Sequence, residues 1–505
     1  MSSLVSNLNI NLKIKISFLI IFFAGLGLRF FYFPFDLPLI ADGMDYFTYA
    51  TEIVSYGHLP TGWTPINNGW SIFVSFFFSI INLENTFQYM QFQRIISVVL
   101  SSLTVIPVYF LCKKFFDEKI SLIGASFFAF DPRILLNSFL GVTEPLFILL
   151  GVSSLVLFLR YEQKAAFLSF TLASFCTIVR SEGVFFFFIL SILFFIKYRI
   201  SKELLRTYIP CVIIFILILM PIITYRIDVT GYDGIFQRAV FGTTQIVSIA
   251  NEDKGVEIFD GMKLFLMYFG WILIPGFLAF LPFGIIQFFR NRKKETNFIF
   301  VFSIIYSLPI LYAYIVQAHD TRYFYFLFPI FCLVSLFAVK TYVSKFSQKN
   351  LLLTVFVITI FSSSIVFYEY QKFDFKIEKE YNEIGKLIDE KSNGINYHPT
   401  ITRYVYANQL PSTWPFIESK INFETKIIPT KNFTNLKNYI ENSKTKLSNL
   451  VVDQNPNLPE YLKDVYYNEE NYPYLIKIYD SVDGSLEHRV KLFEIDFEKF
   501  NSINQ

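Results

Sequence analysis

The sequence predicts an α-helical membrane protein with about eleven transmembrane helices, and three observations lead to this prediction. Apolar residues make up 53% of the chain, charged residues only 17%, and the mean hydropathy is +0.45. An average soluble protein carries about 25% charged residues. The 63 Phe and 31 Tyr are concentrated in apolar runs of about 15 to 25 residues, the length that crosses a hydrocarbon layer of about 30 Å. Lipid is therefore the predicted solvent for most of residues 16–368.

Eleven apolar runs are candidate membrane spans. They are Ile16–Phe33, Arg94–Cys112, Ile120–Leu135, Thr143–Leu159, Ala165–Val179, Gly183–Ile196, Tyr208–Ile227, Lys263–Phe289, Asn297–Val316, Tyr323–Val339 and Leu351–Tyr368. A further run, Gly69–Leu83, is ambiguous. Lys and Arg in short loops mark the cytoplasmic side, and every dense basic cluster falls on one side only if Gly69–Leu83 does not span. We therefore interpret it as a juxtamembrane or re-entrant helix on the outer face, with the N-terminus cytoplasmic and the C-terminus outside.

The composition changes after Tyr370, where charged residues, Asn and turn residues become frequent and no further apolar run is long enough to span. We predict a transmembrane domain over residues 1–370 and a small extracytoplasmic α/β domain over 371–505. Helical periodicity and β-rich runs support the second domain. The predicted helix is Glu378–Lys391, and the predicted strands are Leu450–Asp453, Leu475–Tyr479 and Val490–Ile495.

Several classes of function are not supported by the sequence. A formal net charge of +3 is too close to neutral to indicate a nucleic-acid partner. The four Cys lie in or at the ends of apolar runs without metal-ligand spacing, which argues against disulfides and a zinc site. The chain has no Walker A sequence, no G-x-G-x-x-G and no G-x-S-x-G motif, so that nucleotide binding and hydrolase chemistry are both unsupported.

The first outer loop, Pro34–Asn68, contains acidic residues and a histidine but no Lys or Arg. They are Asp36, Asp42, Asp45, Glu52 and His58. A carboxylate at a membrane surface can act as a general base on an acceptor hydroxyl or bind a divalent cation. Asp42 and Asp45 suit both roles. The alternative is that acidic residues only solvate an outer loop, and we assign that interpretation to Asp36 and Glu52.

Further ionisable residues are predicted at the same face, where such groups are costly and are candidates for function. They are Arg94, Asp131, Arg133, Glu144, Arg180, Glu182, His319, Asp320 and Arg322. The alternative is interhelical pairing or anchoring at the interface, and Arg180 with Glu182 is the pair it fits best. In the segment from His319 to Tyr323 a guanidinium stands beside aromatic residues at the start of a span. Because a guanidinium donates paired hydrogen bonds to phosphate, this segment favours a lipid phosphate; the alternative for Arg322 is a helix anchor.

The order of these segments resembles membrane glycosyltransferases of the GT-C superfamily, especially relatives of the dolichyl-phosphate-mannose protein mannosyltransferases and the aminoarabinose transferases. The matching segments are Asp42-Gly43-Met44-Asp45-Tyr46 with Tyr49-Ala50 and Gly57, Pro65–Ser75, Arg94 before a helix ending in Lys113-Lys114, Asp131-Pro132, Thr143-Glu144-Pro145-Leu146-Phe147, Arg180-Ser181-Glu182-Gly183, and Arg322-Tyr323 with Pro329. They extend over most of residues 16–368. The W-W-D-Y-G signature of oligosaccharyltransferases is absent.

This resemblance implies a GT-C fold with juxtamembrane helices in the first outer loop and a donor sugar carried on a polyprenyl phosphate. It implies that Asp42 is the catalytic base and that Asp45 assists it or binds a metal ion. It also implies that Glu144, which opens a helix beside the active site, is a catalytic residue. Many relatives have a second acid directly after the first Asp, whereas this chain has Gly43. Arg322 and Arg180 are the implied ligands of the lipid phosphate, and we add their neighbours Tyr323 and His319.

The resulting hypothesis is transfer of a sugar from a polyprenyl phosphate to an acceptor hydroxyl on protein, lipid or glycan outside the cytoplasm, with inversion at the anomeric carbon. The predicted partners are the lipid-linked donor, the acceptor and the bilayer, with a divalent cation as a possible cofactor and no nucleotide. One rival is a transporter or flippase of lipid-linked glycans, although internal repeats and broken midplane helices are not apparent. A second rival is an inactive scaffold with an outer binding domain.

Overall fold

A computed structural model describes residues 12–39, 42–65, 67–84, 86–160, 162–198, 202–236, 258–291, 294–316, 318, 320–371, 380, 396–397, 434–443, 449–454, 459–482 and 489–504. The chain divides into two compact units. One comprises Met1–Phe33, Asp45–Ile80 and Phe92–Phe373, and the other comprises Pro34–Met44, Ile81–Gln91 and Asp374–Gln505. The predicted assignment of residues 1–370 to a transmembrane domain and of 371–505 to an extracytoplasmic domain stays a prediction.

The described part of residues 12–371 is almost entirely helical. Its helices are α1 (Leu12–Phe31), α2 (Asp42–Tyr56), α3 (Gly69–Ile80), α4 (Thr86–Leu103), α5 (Val105–Lys113), α6 (Glu118–Ala129), α7 (Pro132–Ser138), α8 (Glu144–Phe158), α9 (Gln163–Val179), α10 (Gly183–Tyr198), α11 (Lys202–Thr230), α12 (Ile258–Ile272), α13 (Leu281–Arg290), α14 (Lys294–Ile315), a 3₁₀ helix (Thr321–Leu327), α15 (Phe328–Val343) and α16 (Lys349–Gln371). Each of the eleven predicted spans coincides with one or two of these helices.

Within the part of the chain that the structure describes, six helical stretches are long and apolar enough to cross a membrane, or seven if α6 and α7 form one bent span. The α-helical multi-pass fold predicted from the sequence is therefore confirmed. The number eleven stays a prediction, because α8, α9 and α10 are shorter apolar helices and the predicted span Lys263–Phe289 is divided between α12 and α13. Helix α3 has 12 residues, about 18 Å of rise, which is shorter than a hydrocarbon layer of about 30 Å. Its length agrees with the interpretation that Gly69–Leu83 does not span.

The bend of 52° between α6 and α7 explains the position of Asp131, one of the ionisable residues predicted at the outer face. Pro132 ends the hydrogen-bond ladder of α6 because it has no N–H to donate. The Asp131 carboxylate accepts hydrogen bonds from the backbone N–H groups of Arg133 and Ile134 and thereby caps α7. At the other side of the bend, the buried Arg29 guanidinium donates to the Ala129 carbonyl at 2.8 Å.

Arg133 stabilises the interruption of the predicted span Lys263–Phe289 in a similar way. Its guanidinium donates to the carbonyl of Trp271 at 2.6 Å and to the carbonyl of Ile274, at the end of α12. Free backbone carbonyls are costly away from water, so that these bonds stabilise the interruption between α12 and α13. Asp131 and Arg133 therefore have structural partners at helix ends.

The described residues of the second unit beyond position 374 include a four-stranded sheet. Its strands are β1 (Asn396–Tyr397), β2 (Asn449–Asp453), β3 (Leu475–Asp480) and β4 (Val490–Ile495), in the spatial order β1-β2-β4-β3. β2 and β3 both pair antiparallel with β4, and β1 pairs parallel with β2. Helices α17 (Leu436–Ser443), α18 (Glu460–Tyr467) and α19 (Phe497–Asn504) accompany the sheet.

The three strands predicted from sequence are confirmed, because β2, β3 and β4 coincide with the predicted β-rich runs. The consecutive residues Leu450, Val451 and Val452 of β2 are all buried. The predicted helix Glu378–Lys391 lies outside the described residues except for Glu380.

Candidate functional site

The structure brings three of the predicted site residues together within the first unit. A Glu144 carboxylate oxygen lies 2.6 Å from Nη1 of Arg180 and 3.8 Å from Nη1 of Arg322. Two further carboxylates complete the group: Glu182 lies 2.8 Å from Nη2 of Arg180, and Asp320 lies 2.7 Å from Nε of Arg322. We call these five residues the charge cluster.

Helix ends position the charge cluster. Glu144 is the first residue of α8, Arg180 follows the last residue of α9, and Glu182 precedes α10. Asp320 caps the 3₁₀ helix by accepting a hydrogen bond from the N–H of Arg322. Because α8, α9 and α10 are antiparallel neighbours joined by short connections, the start of α8 and the turn between α9 and α10 lie at the same end of the bundle.

The members of the cluster differ in exposure. The Glu144 side chain is 4% exposed and that of Arg180 14%, whereas Arg322 is 30% and Glu182 33% exposed. Burial lowers the pKa of the Arg180 guanidinium, but Glu182 and Glu144 outweigh burial and hold that pKa well above its ordinary value. With two guanidinium groups and three carboxylates, the cluster has a formal net charge of −1. Glu144 and Arg180 form the least exposed pair of the cluster, and Arg322 and Glu182 are more accessible to solvent.

Helix α3 and its neighbours are hydrogen-bonded to both turns that carry the cluster. The Trp70 indole N–H donates to the Gly141 carbonyl at 2.8 Å, and the Gln93 amide donates to the same oxygen at 2.7 Å. Gly141 has φ +68°, a left-handed conformation that favours glycine and turns the chain toward Glu144. On the other side, the Asn67 amide oxygen accepts a hydrogen bond from the N–H of Ser181 at 3.2 Å. Asn67, Trp70 and Gln93 therefore support the backbone that holds Glu144 and Arg180.

Replacing Gly69 with Ala is expected to disturb this support. A Cβ at position 69 would lie 2.5 Å from the carbonyl oxygen of Ile178, two residues before Arg180. Since backbone cannot move aside as a side-chain end can, we expect a loss of about 1–3 kcal/mol of stability, measured by thermal unfolding in nanodiscs. The control is Gly27→Ala, where a Cβ meets nothing within 4 Å; equal melting temperatures for the two variants would contradict the close packing of α3.

The other predicted site residues are placed as follows. Asp42 begins α2 and belongs to the second unit, and Asp45, in the first turn of α2, belongs to the first unit; both are exposed. The next residue, Tyr46, lies within electrostatic range of Arg180. Tyr323, in the 3₁₀ helix, lies within range of Arg180, Glu182 and Arg322. His319 lies outside the described residues.

Among the residues that the structure describes, no three His, Cys, Asp or Glu side chains are grouped so that they can hold a metal ion. A divalent cation at Asp42 and Asp45 stays a prediction.

Comparison with solved structures identifies the architecture. The chain matches ArnT from Cupriavidus metallidurans bound to undecaprenyl phosphate with a TM-score of 0.58 and 9% identity, over 95% of this chain and 97% of that one. The apo form of the same ArnT matches with a TM-score of 0.53 and 9% identity, over 94% and 96% of the two chains. The oligosaccharyltransferase from Archaeoglobus fulgidus tethered to an acceptor peptide matches with a TM-score of 0.54 and 12% identity, over 87% of this chain and 69% of that one. The chain has the GT-C fold.

No protein-family model matches the sequence, and no curated protein sequence matches it significantly. The GT-C fold was predicted from the order of short motifs, and the structural likeness confirms that prediction. It extends to an oligosaccharyltransferase as well, although the W-W-D-Y-G signature is absent from this chain.

Sequence reasoning missed the residues that fix the GT-C outer loop to the charge cluster. Trp70, Gln93 and Asn67 act over long sequence separations, between 48 and 114 residues. A buried Trp or Gln on an apolar helix carries no local signal of its partner. The alternative interpretation of Arg180, pairing with Glu182 or with a neighbour, describes contacts that the structure does contain.

Glu52, which we assigned to loop solvation, is half-buried and accepts a hydrogen bond from the Trp63 indole N–H at 2.8 Å. Burial raises the pKa of its carboxyl to about 7, and the Trp63 bond offsets only part of that rise. A raised folded-state pKa adds stability that is complete below the unfolded pKa and is lost as pH rises through 7. We expect the melting temperature to fall less between pH 5 and pH 8 in Glu52→Gln than in the wild type. Identical pH dependence in both would contradict the buried carboxyl.

Proposed function

We propose that this chain is a glycosyltransferase that moves a sugar from a polyprenyl phosphate to an acceptor hydroxyl outside the cytoplasm. One observation carries the proposal: two guanidinium groups meet around a buried carboxylate at one end of a helical bundle that has the GT-C fold. Guanidinium groups suit phosphate because their planar fork donates paired hydrogen bonds to its oxygens. The ArnT structure with the same fold has undecaprenyl phosphate bound, which supports a donor of this class.

In the proposed mechanism, Arg322 is the main phosphate ligand, because its side chain is 30% exposed while Arg180 is 14% exposed. The acceptor oxygen attacks the anomeric carbon as the bond from that carbon to the phosphate oxygen breaks. Asp42 takes the acceptor's proton, and the polyprenyl phosphate leaves with the bonding electron pair. The arginines stabilise the charge that develops on the phosphate, and a single displacement inverts the anomeric carbon. Asp45 assists Asp42 or binds a cation.

Glu144 has a different proposed role from the one the resemblance implied. A carboxylate with 4% exposure that contacts two arginines is poorly placed to take a proton from an acceptor. We assign it as a positioning residue that holds Arg180 and approaches Arg322, so that both guanidinium groups keep one orientation. The Thr143 hydroxyl, which accepts a hydrogen bond from Nη1 of Arg180 at 3.0 Å, supports the same orientation.

A phosphate that binds Arg180 would have to displace the Glu182 carboxylate, because this carboxylate is paired with Nη2 of Arg180 and is 33% exposed. Glu182→Gln removes this internal competitor and is therefore expected to tighten binding of undecaprenyl phosphate. A partly exposed ion pair is worth up to about 1 kcal/mol, which corresponds to about fivefold in the dissociation constant. Equilibrium binding in nanodiscs measures the change. Weaker binding than in the wild type would show that Glu182 supports the phosphate site instead of competing for it.

The experiment that tests the proposal offers the purified protein in nanodiscs a panel of polyprenyl-phosphate sugars and candidate acceptors and follows release of free polyprenyl phosphate. We expect release with at least one donor. The rival, a flippase of lipid-linked glycans, predicts movement of the intact donor across liposome membranes without release. Movement with no release for any donor and acceptor would overturn the glycosyltransferase proposal.

A further inference from the structure

A cleft of about 770 Å³, separate from the charge cluster, lies between the start of α9 and the second and third turns of α11. Its polar lining consists of Gln163, Lys164, Arg206 and Thr207, and its apolar lining includes Phe167, Leu168 and Pro210. The two helices pack against each other directly below, where the rings of Phe170 and Tyr208 are 6.0 Å apart. The cleft is therefore a notch at the end of a helix pair.

Two basic side chains give this cleft a positive charge. Lys164 and Arg206 are both exposed, and neither forms an ion pair or a hydrogen bond with an acidic side chain among the described residues. The N-terminal end of α9 lies here as well, and the positive end of a helix dipole favours an anion. The nearest acidic residue in the sequence of α9, Glu162, is exposed and makes no side-chain bond to the helix start.

The apolar lining continues along the outside of both helices. Phe167 and Leu168 on α9 are 38% and 48% exposed, and Phe175 one to two turns further along is 46% exposed. On α11, Ile209 and Ile213 are 51% and 50% exposed at a spacing of one turn. These two exposed apolar stripes begin at the cationic notch and run in the direction of the bundle axis. A cationic head site above two apolar stripes matches a phospholipid with an anionic head group and two acyl chains.

The position of the cleft agrees with this ligand. Helix α9 begins at Gln163 in the cleft and ends at Val179 beside Arg180. Its 17 residues rise about 25 Å, close to the thickness of a hydrocarbon layer. The cleft and the charge cluster thus lie near opposite surfaces of the membrane, and the basic loops around Lys164 and Arg206 are those that the charge bias places in the cytoplasm. Basic pockets between helices on that side bind anionic head groups.

We propose that the cleft between α9 and α11 is a binding site for an anionic phospholipid of the leaflet opposite the charge cluster, with Lys164 and Arg206 on the head-group phosphate. The lipid fills this cleft and contacts both α9 and α11 at this end of the helix pair. This site is separate from the donor site and does not depend on the proposed transferase activity.

Native mass spectrometry of the full chain tests the proposal with phosphatidylglycerol and phosphatidylcholine of identical acyl chains. We expect the wild type to prefer phosphatidylglycerol, and Lys164→Gln with Arg206→Gln to lose that preference by roughly 30-fold, the factor for two basic side chains at a membrane surface. The matched control is Arg290→Gln with Lys345→Gln, two exposed basic residues outside the cleft, which should keep the wild-type preference.

Three outcomes would overturn the proposal: no preference in the wild type, an unchanged preference in the Lys164/Arg206 double variant, or an equal loss in the control. If the double variant does not fold, the charge-preserving Lys164→Arg with Arg206→Lys replaces it and should retain phosphatidylglycerol. If this variant folds but does not retain phosphatidylglycerol, the result also contradicts the site, because the head group requires positive charge at both positions and not a particular basic side chain.

Discussion

Asp42→Asn is expected to lower turnover of the lipid-linked donor by about 10²- to 10⁴-fold, the contribution of a positioned general base. The amide keeps the size of the carboxylate but cannot accept the proton of the acceptor hydroxyl at neutral pH. Because Asp42 is not a proposed phosphate ligand, the dissociation constant for undecaprenyl phosphate should stay within about threefold of the wild-type value. A tenfold change would correspond to about 1.4 kcal/mol. Release of polyprenyl phosphate and equilibrium binding, measured on the same preparation, separate the two effects.

The matched control for this prediction is Asp36→Asn. Asp36 is an exposed carboxylate of the same acidic outer loop, and it has no proposed chemical role. It should retain nearly the activity of the wild type. Similar turnover for the two variants, whether both high or both low, would remove Asp42 as the specific base.

Glu144→Ala is expected to have the largest effect on stability. It removes the 2.6 Å partner of an arginine that is 14% exposed and leaves Glu182 as the carboxylate paired with Arg180. Removing one partner of a buried ion pair costs on the order of 3 kcal/mol, because the remaining charge loses its compensation. We expect a clearly lower melting temperature in nanodiscs together with loss of turnover. Glu144→Asp should recover part of both, since it restores the charge at a shorter reach.

Glu118→Ala is the control for the stability effect. Glu118 is also an acidic residue in the first turn of a helix and pairs with Lys113 at 2.7 Å, but both partners are more than a quarter exposed. An exposed pair contributes about 0–1 kcal/mol, so its loss should change the melting temperature little. A Glu144 variant as stable as the Glu118 variant would contradict the buried pair at the centre of the charge cluster.

The helical architecture followed from the sequence because apolar runs and basic loops are local signals. The distribution of Lys and Arg between the loops also predicts that the ambiguous run Gly69–Leu83 is a helix that does not span the membrane. The interruption of the predicted span Lys263–Phe289 has a local signal in Pro275-Gly276. The guanidinium of Arg133 that stabilises the interruption is distant in the sequence and has no such signal. The role of Asp131 as a helix cap likewise depends on the bend between α6 and α7.

For the candidate site, the sequence indicated which residues are chemically capable but not which of them meet. Glu144, Arg180 and Arg322 stand far apart in the chain and are brought together by helix ends, whereas Arg94 donates instead to the Phe139 carbonyl at 2.6 Å. The 4% exposure of Glu144 also supports our proposal that it positions the arginines, instead of the catalytic role that the resemblance implies. Burial of one carboxylate and exposure of its neighbour are decided by packing, which no local pattern encodes.

The most direct test of the account is the affinity for undecaprenyl phosphate of the wild type, Arg322→Gln and Arg290→Gln in nanodiscs of neutral lipid. Arg322→Gln loses a charged hydrogen-bond donor worth about 1.5–3 kcal/mol and should bind at least about tenfold more weakly. Arg290→Gln removes an equal charge from α13, away from the cluster, and should bind as the wild type does. Equal affinity of all three proteins would contradict the assignment of the charge cluster as the donor phosphate site.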